Sequence, residues 1–366
     1  MSAASARDVA HMRHALRLAE RTLGSTAPNP AVGCVIVRQG HVVGRGWTRS
    51  GGRPHAETIA LIEAGAAARG ATAYVTLEPC AHHGQTPPCA NALVDAQLAR
   101  VVAAMVDPDP RVAGAGLAHL EQHGIAVTCG VLQQHAEALN AGFVKRVTAS
   151  RPLVAIKIAQ TLDGRVADPI GNSRWITSAE ARRHAHLLRT HYDAIMVGIG
   201  TVLTDDPLLT CRLPGLEHRS PFRVVLDSKL QLPPDSQLAK SARKYPVAVF
   251  TLDRTGGNDL AASGVTIERM REVENGWPAI RPVLEVLARR GITRLLVEGG
   301  PRVIASIVKS GFADLLHLYR APILLGGAGM PAIGHAWQSE LVSAPRLRLL
   351  ETIHLGPDVL DTFSFS

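Results

Sequence analysis

Residues 73–80, AYVTLEPC, decide the fold of the N-terminal half. An apolar segment, AYVTL, ends in a glutamate, a proline and Cys80. A helix at about 56–68 precedes this segment, and a helix from about 90 leads to a second apolar segment, RVVAAMV, at 100–106. Near-continuous apolar strands that alternate with helices are typical of parallel strands buried between helical layers. We therefore predict an α/β fold with helices on both faces of a sheet.

Two strands nearer the N-terminus extend this sheet. The segments CVIVR and HVVGRGW flank Gln39-Gly40, a pair that favours a tight turn, so they are predicted to form a hairpin. Apolar residues at helical spacing predict a helix before the hairpin, over about 7–23. The N-terminal half then reads αββαβαβαβα and ends by about residue 148.

A second alternation of strands and helices begins after a short joint, ASRP, at 149–152. Thr177 and Glu180 have capping-box spacing at the start of its first helix. RLRLLETIHLG is the predicted arm of a final hairpin. With 366 residues, the chain is long enough for two domains with a core each. We predict the domains 1–148 and 149–366. The strands of the second half are expected in LVAIKIA, DAIMVGIG, FRVVLD, PVAVFTL, GVTIER, RLLVEGG and LLHLYRAPI.

The composition excludes several classes of protein. Hydrophobic residues make up 46% and charged residues 19%, which excludes a wholly disordered chain, a collagen and a disulfide scaffold. No apolar run is long enough for a transmembrane helix, and the N-terminus lacks the apolar region of a secretory signal. Five cysteines are few and odd in number, so we expect a reducing compartment, the cytoplasm.

The net charge of +8 is spread along the chain without a basic run. A diffuse surplus of arginine suits the binding of phosphorylated small molecules as well as of nucleic acid, and it also occurs on ordinary solvated surfaces.

His55, Cys80 and Cys89 have the donor types of a zinc site that leaves a fourth position for water. Zinc lowers the pKa of such a water molecule to roughly 7. Glu57 follows His55 by two residues, in the first turn of the predicted helix, where its carboxylate can carry a proton without binding the metal. H-x-E followed by P-C-x-x-C is the zinc-deaminase signature, although here the loop AHHGQTPP displaces the second cysteine. We predict zinc binding by the three residues and catalysis by Glu57.

Alternatives remain at this site. His82 or His83 can supply a fourth ligand, which would make the zinc structural. Asn29, between two prolines, is either a turn residue or a carboxamide that reads a pyrimidine edge. We expect the remaining cysteines to pack in apolar surroundings; they are Cys34, Cys129 and Cys211.

The second half contains a weaker signal in RLLVEGGPRVIASIV, at 294–308. A strand leads to Gly299-Gly300, and a helix begins at Pro301, an arrangement that lets a phosphate approach bare backbone N–H groups. The absence of G-x-G-x-x-G from the sequence argues against a Rossmann site. Lys157 lies within an apolar strand and is a candidate substrate-binding or acid residue.

Seven motifs together resemble the bifunctional deaminase and reductase family of riboflavin biosynthesis. They cover nearly the whole chain and read APNPAVGCVIV, HAE, TLEPCAHHGQTPPC, IAQTLDGR, GNSRWITS, TVLTDDPLLTCR and LLVEGGPRV. The resemblance implies hydrolytic deamination of 2,5-diamino-6-(5-phosphoribosylamino)pyrimidin-4(3H)-one by a zinc-dependent half. An NADPH-dependent half would then reduce the ribosyl group to ribityl.

The resemblance also implies the domain folds and the site residues. The N-terminal domain would have cytidine-deaminase-like αβα layers, and the C-terminal domain a dihydrofolate-reductase-like mixed sheet. The family's zinc ligands fall on His55, Cys80 and Cys89, and its proton carrier on Glu57. Its cofactor-binding positions fall on Ala159, Trp175, Thr201, Asp205, Ser228, Gly300, Pro301, Arg302, Val303, Ile304, Ala305 and Ser306. Its substrate-binding positions fall on Ser173, Arg189, Leu209, Arg212 and Glu298.

Two of these positions have a physical reason of their own. Arg189 and Arg212 are suited to bidentate binding of a ribose phosphate. The sequence departs from the family pattern at Ala81 and Gln85, where serine and arginine are usual. This puts in doubt the substrate contacts made by the cysteine loop.

Two other functions compete with this prediction. A zinc-dependent nucleic-acid deaminase of the tRNA type, with an accessory domain, shares H-x-E and P-C. However, the second half lacks a basic patch with interleaved aromatic residues, which are only 4% of the chain. A zinc-stabilised binding protein has no need of Glu57. We therefore expect Zn²⁺ and NADPH as cofactors, a phosphorylated pyrimidine as substrate, no nucleic-acid or membrane partner, and a homo-oligomer.

Overall fold

The computed structural model describes residues 5–81, 87–110, 112–334 and 339–365. The chain divides into two compact units, 1–150 and 151–366. Each unit has a hydrophobic core of its own, because the core clusters contain residues of one unit only. In the described part of the chain no helix combines the length and apolar character that crossing a membrane requires.

The N-terminal unit is a five-stranded sheet between helices, with strand order β2-β1-β3-β4-β5. β1 is antiparallel to β2 and β3, whereas β3, β4 and β5 are parallel. The strands are β1 (Gly33–Arg38), β2 (His41–Trp47), β3 (Thr72–Val75), β4 (Arg100–Ala103) and β5 (Ala126–Cys129). The helices are α1 (Ala6–Glu20), α2 (Ala56–Ala64), α3 (Cys89–Asp95), α4 (Ala115–Gln122), α5 (Gln133–Leu139) and α6 (Ala141–Ala149).

The predicted hairpin is confirmed. Gln39 and Gly40 have φ values of 51° and 83°, the two positive values that a two-residue type I′ turn requires. Close packing of α2 on β2 depends on a glycine, because a Cβ on Gly46 would lie 1.9 Å from the carbonyl oxygen of Ala56. This contact holds the first turn of α2 at the sheet.

The C-terminal unit is a nine-stranded mixed sheet of order β11-β10-β9-β8-β14-β6-β15-β18-β17. The strands from β11 to β15 in this order are parallel, and β18 is antiparallel to both of its neighbours. The strands of this sheet are β6 (Leu153–Thr161), β8 (Ala194–Gly198), β9 (Phe222–Leu226), β10 (Val247–Thr251), β11 (Thr266–Arg269), β14 (Arg294–Val297), β15 (Leu315–Ala321), β17 (Leu347–Leu355) and β18 (Asp358–Phe365). The fold class predicted for the chain is confirmed.

Further elements complete this unit. Two small ribbons are formed by β7 (Arg165–Ala167) with β16 (Met330–Pro331) and by β12 (Val273–Glu274) with β13 (Trp277–Pro278). The helices are α7 (Ala179–Arg189), α8 (Ile199–Asp205), α9 (Gln237–Lys240), α10 (Asn258–Ala262), α11 (Ile280–Arg289) and α12 (Pro301–Lys309).

The start of α7 differs from the predicted capping box. Its N-cap is Ser178, whose Oγ accepts a hydrogen bond of 3.2 Å from the backbone N–H of Ala181. Ser178 is held there from outside the helix, because its backbone N–H donates to Asp358 and its hydroxyl donates to the carbonyl of Leu355. The prediction that Thr177 and Glu180 form the capping box is therefore wrong, and the reason is this contact with the β17–β18 turn.

Candidate functional site

Three element ends in the N-terminal unit bring together the predicted zinc ligands. His55 is the N-cap residue of α2, Cys89 is the first residue of α3, and Cys80 lies beyond the end of β3. The His55 side chain makes no capping hydrogen bond, so its imidazole is available as a ligand.

The donor atoms have the spacing of a metal site. His55 Nδ1 lies 3.2 Å from Cys89 Sγ and 3.7 Å from Cys80 Sγ, and the three donor atoms lie within 4.8 Å of one another. Ligands about 2.0–2.3 Å from a tetrahedral zinc ion lie roughly 3.5 Å apart, so this donor set fits zinc in both type and spacing. Within the described ranges the group contains these three side chains. His82, His83 and Gln85 lie outside the described residues.

The surroundings of Cys80 favour its thiolate. The backbone N–H of Cys89 donates to Cys80 Sγ at 3.3 Å. The pKa of Cys80 falls to about 4, chiefly through a hydrogen bond from Cys89 and also through His55. The hydrogen bond with Cys80 raises the pKa of His55 in turn.

Glu57 lies beside the donors without joining them. Its side chain is buried in the first turn of α2, and the three-residue donor group does not include it. Burial raises the pKa of Glu57 to about 7, against the hydrogen bond from Cys89 and the positive charge of His55. A carboxyl group in this place can both accept and give up a proton near neutral pH.

Glu78 is a component that sequence reasoning missed. This buried carboxylate accepts hydrogen bonds from the backbone N–H groups of Asp107, Gly114 and Gly116, at 3.0, 2.9 and 2.7 Å. It thereby attaches the segment that carries Cys80 to the start of α4. The approach is close, because a Cβ on Gly116 would lie 1.9 Å from the carbonyl oxygen of Pro79. Its only sequence signal was its place directly before Pro79-Cys80.

The remaining predicted residues of this unit have simple surroundings. The Asn29 carboxamide lies against Gly52, where an added Cβ would come within 1.9 Å of Asn29 Nδ2. Ala81 is half-buried. Cys34 belongs to the core and Cys129 packs against it, while Cys211 is buried in the other unit, so all three agree with a packing role. All five cysteines are free thiols.

The C-terminal unit has a topological switch point at the carboxyl ends of its parallel strands, between β8 and β14. After β8 the chain continues to β9 on one side of the sheet, whereas after β14 it crosses β6 to reach β15 on the other side. Ligands bind in α/β sheets at such a point, where neighbouring connections diverge. α8 and α12 begin there.

Glycines leave bare backbone beside this switch point, at the start of α12. A Cβ on Gly299 would lie 2.9 Å from Thr201 Oγ1, and one on Gly300 would lie 3.5 Å from the same atom. Gly300 is also the N-cap of α12, with φ of 70°, and Pro301 follows as the first helical residue. The first turn of α12 therefore presents backbone N–H groups next to Thr201, the kind of arrangement that suits an anion.

Other predicted cofactor positions follow neighbouring strands or lie on α8. Ala159 is near the carboxyl end of β6, Ser228 follows β9, and Asp205 is the last residue of α8. Trp175 lies on the loop before α7, 67% exposed, with the Arg182 guanidinium 4.4 Å from its ring. Ser173 is on the same loop. The run from Arg302 to Ser306 forms the first two turns of α12.

Arg189 and Glu298 form a buried ion pair. Arg189 donates from Nε and Nη2 to the two carboxylate oxygens, each at 2.8 Å, and from Nη1 to the carbonyl of Thr210. Burial opposes ionisation of Glu298, but Arg189 outweighs it and holds the pKa near 2. Glu298 and Thr210 engage the three nitrogens of the Arg189 guanidinium, and the binding of a phosphate by Arg189 stays a prediction. Arg212 is exposed, and the Leu209 side chain is buried in the core.

Lys157 lies next to this pair. The register of β6 with β14 places Lys157 beside Glu298, and its Nζ is 5.6 Å from the ring centre of Tyr319. Burial lowers the pKa of Lys157, and Glu298 opposes the shift. Sequence reasoning missed Tyr319, whose hydroxyl lies 2.9 Å from Nδ1 of His184. The alternation of polar residues in LLHLYRA was its signal.

Comparison with known proteins covers both units. The family model for the cytidine and deoxycytidylate deaminase zinc-binding region matches residues 5–105, and that for the RibD C-terminal domain matches 152–360. The chain is 40% identical to the riboflavin biosynthesis protein RibD of Escherichia coli, over 96% of this chain and 98% of that protein. Its identity to RibD of Bacillus amyloliquefaciens is 42%, over 95% and 94% of the two chains.

Solved structures agree with these matches. RibD of Acinetobacter baumannii superposes with a TM-score of 0.88 at 37% identity, covering 98% of this chain and 99% of that one. A protein of Thermotoga maritima gives the same TM-score and coverage at 34% identity. That protein is described as a diaminohydroxyphosphoribosylaminopyrimidine deaminase and 5-amino-6-(5-phosphoribosylamino)uracil reductase. With a zinc-binding deaminase region and a reductase domain in one chain, the protein belongs to the RibD family of bifunctional riboflavin biosynthesis enzymes.

Proposed function

We propose that this chain deaminates 2,5-diamino-6-(5-phosphoribosylamino)pyrimidin-4(3H)-one in its unit 1–150 and reduces the ribosyl group of the product, with NADPH, in its unit 151–366. The observation that carries the proposal is the donor group of His55, Cys80 and Cys89 with Glu57 beside it. Family membership supplies the pair of reactions.

In the deaminase unit, His55, Cys80 and Cys89 would hold the zinc ion. Bound zinc supplies Lewis acidity that makes hydroxide available from water near neutral pH. Glu57 takes up one proton from the water and delivers it to the pyrimidine ring nitrogen. It then carries the second proton, from the hydroxyl added at the ring carbon, to the departing amine, which leaves as ammonia while the carbonyl forms. Asn29 offers its carboxamide to the pyrimidine edge, since carboxamides provide a donor and an acceptor together.

In the reductase unit, Thr201 and the turn from Gly300 to Ser306 would hold the phosphates of NADPH. The cofactor supplies the hydride, so the protein's part is to orient the two reactants. Ala159, Trp175, Asp205 and Ser228 complete the proposed cofactor contacts.

The substrate would lie against a polar cluster near β6 and β14. This cluster consists of Lys157, Arg189, Glu298 and Tyr319. We assign the substrate phosphate to Arg212, whose guanidinium is exposed, whereas that of Arg189 is engaged by Glu298. Arg189 and Glu298 instead form the charged floor of the site, with Ser173 and Leu209 at its edge. Lys157 is the proposed proton donor, because burial lowers its pKa toward the range in which it can release a proton.

Cellular location and assembly belong to the same proposal. The five free thiols support a cytoplasmic location. Exposed Leu349 and Leu350 on the edge strand β17 support a homo-oligomer, which light scattering of the purified protein tests. A sequence without a basic patch that is interleaved with aromatic residues supports a small phosphorylated substrate rather than a nucleic acid.

Two assays on point variants test the proposed function. Glu57→Gln should lower ammonia release by about 10²–10⁴-fold with zinc content unchanged. It should leave NADPH oxidation intact when the deaminated pyrimidine is supplied. Arg212→Ala should leave ammonia release intact and suppress NADPH oxidation. Glu63→Gln is the matched control, because Glu63 is exposed on the same helix and pairs with Arg45 at the surface.

Two results would contradict the proposal. Loss of both reactions in folded Glu57→Gln, with the intermediate supplied, would mean that one site serves both steps. Ammonia release from tRNA but not from the pyrimidine would favour the nucleic-acid deaminase instead.

A further inference from the structure

His186, on α7, lies between two groups of the loop that follows α8. Its Nδ1 is 3.1 Å from the carbonyl oxygen of Thr210, and its Nε2 is 3.2 Å from Nη2 of Arg212. Neither the motifs in the sequence nor the ion pair of Arg189 accounts for this pair of contacts.

The two partners determine which nitrogen of His186 carries the proton. A carbonyl oxygen only accepts, so Nδ1–H donates to Thr210, and a guanidinium only donates, so Nε2 accepts from Arg212. Burial, with the charges of Arg189 and Arg212, lowers the pKa of His186 to about 4, which keeps the ring neutral near pH 7.

The backbone around Arg212 is anchored independently of His186. The carbonyl of Thr210 also accepts from Arg189, and the carbonyl of Leu208 accepts from the buried Arg223 at 3.1 Å. The N–H of Cys211 donates to Ser220 Oγ at 3.1 Å. The loop therefore has a defined path, and the freedom left to Arg212 is in its long side chain.

His186 limits that freedom. An exposed arginine samples many rotamers, and an acceptor at one of its nitrogens selects the rotamers that reach it. The contact uses one N–H of Nη2, so the other N–H groups of the guanidinium stay available for an anion.

We infer that His186 is a positioning residue, which orients the Arg212 guanidinium toward the phosphate of the reductase substrate through its Nε2 lone pair. This inference rests on the proposed function, since it takes Arg212 as the phosphate contact. It adds a residue that acts through Arg212 and touches neither substrate nor cofactor.

The test compares two variants of His186 on two substrates. His186→Leu removes both contacts, whereas His186→Gln keeps a donor and an acceptor at similar spacing. NADPH oxidation is measured with the deaminated pyrimidine ribosylamine, with and without its 5′-phosphate. For the phosphorylated substrate, His186→Leu should raise KM about tenfold with kcat within about twofold, as expected for one hydrogen bond to a charged group. The unphosphorylated substrate should show no change, and His186→Gln should restore most of the KM.

Control variants separate the inference from the proposed function. Leu187→Ala, on the same helix and 37% exposed, should behave as wild type with both substrates. Arg212→Ala should lose the preference for the phosphorylated substrate. If Arg212→Ala keeps that preference, the phosphate contact in the proposed function is wrong and the inference falls with it.

Three results would overturn the inference alone while Arg212→Ala behaves as expected. One is an unchanged KM in His186→Leu. Another is an equal loss with both substrates, which would indicate a role in folding only. The third is failure of His186→Gln to recover in a protein whose wild-type turnover of the unphosphorylated substrate shows that the reductase unit is folded, and this variant decides the matter if His186→Leu is insoluble.

Discussion

The two candidate sites are built in different ways. All three proposed zinc ligands of the N-terminal unit come from the span 55–89, each at the end of an element. The polar cluster of the C-terminal unit draws on residues from Lys157 to Tyr319, which meet because of the strand order. The first site depends on the identity of a few donor atoms. The second site depends on attraction between charged side chains that are close together. The two sites should therefore respond differently to substitution.

The largest effect is expected at the zinc ligands. Cys89→Ser replaces a thiolate by a hydroxyl, a poor ligand for zinc. We expect zinc to fall from about one per chain to a small fraction, and ammonia release to fall by more than about 10³-fold. Metal analysis of the purified variant measures the first quantity.

The control for this variant is Cys129→Ser, because Cys129 is half-buried and outside the donor group. Zinc at the wild-type level in Cys89→Ser would remove Cys89 from the ligand set.

The next effect is expected at the buried ion pair. Arg189→Met leaves the Glu298 carboxylate buried without its partner, a change that typically costs about 3–5 kcal/mol. We expect the free energy of unfolding of the C-terminal unit to drop by this order, with NADPH oxidation lost and zinc content unaffected. Denaturant unfolding of the full chain measures it.

The double variant Arg189→Met with Glu298→Leu sharpens the comparison. It should be more stable than Arg189→Met alone, because the carboxylate that Arg189→Met leaves unpaired is also removed. Additive losses from the two single variants would mean that the pair does not act as a unit.

A smaller effect is expected at Glu78. In the wild type, backbone N–H groups donate to the Glu78 carboxylate. In Glu78→Gln some of these N–H groups face an amide NH₂, which cannot accept, so the free energy of unfolding should fall by about 1–3 kcal/mol. Amide hydrogen exchange at Gly114 and Gly116 should accelerate, while zinc remains bound. Glu121→Gln, exposed on α4, is the control, and equal exchange in the two variants would exclude the assigned role of Glu78.

The smallest effect is a pH dependence at Asp8. Burial opposes ionisation of this carboxylate, but Arg100, Ser5 and Tyr74 outweigh it and hold its pKa well below the ordinary value. A lowered pKa means that the stabilisation is present above pH 3.8 and is lost as the pH falls below it. Asp8→Asn should cost about 1 kcal/mol near neutral pH and flatten the acid limb of stability. If the free energy of unfolding of Asp8→Asn fell as steeply at acid pH as that of the wild type, the assigned role of Asp8 would be wrong.

Much of the fold was predictable because its signals are local. Apolar runs bounded by glycine and proline marked the strands of both sheets, and Gln39-Gly40 marked the first hairpin. No helix is predicted over 237–240 or 258–262, where α9 and α10 lie, because so few residues carry little periodicity. Ser178 is the N-cap of α7 because its backbone N–H donates to Asp358, 180 residues away. No local sequence pattern contains such a distant partner.

The sequence by itself determined the donor types of the zinc site, the proton-carrying Glu57 beside it and the glycines at the start of α12. Each of these groups acts through the chemistry of single residues that are close in the sequence. Residues that are close in the sequence stay close in space when the chain folds. Only the tertiary structure decided that Arg189 belongs to Glu298, 109 residues away, and that Arg212 meets His186. A guanidinium binds a carboxylate, a carbonyl or a phosphate by the same geometry, so its partner is chosen by which acceptor the fold places within reach.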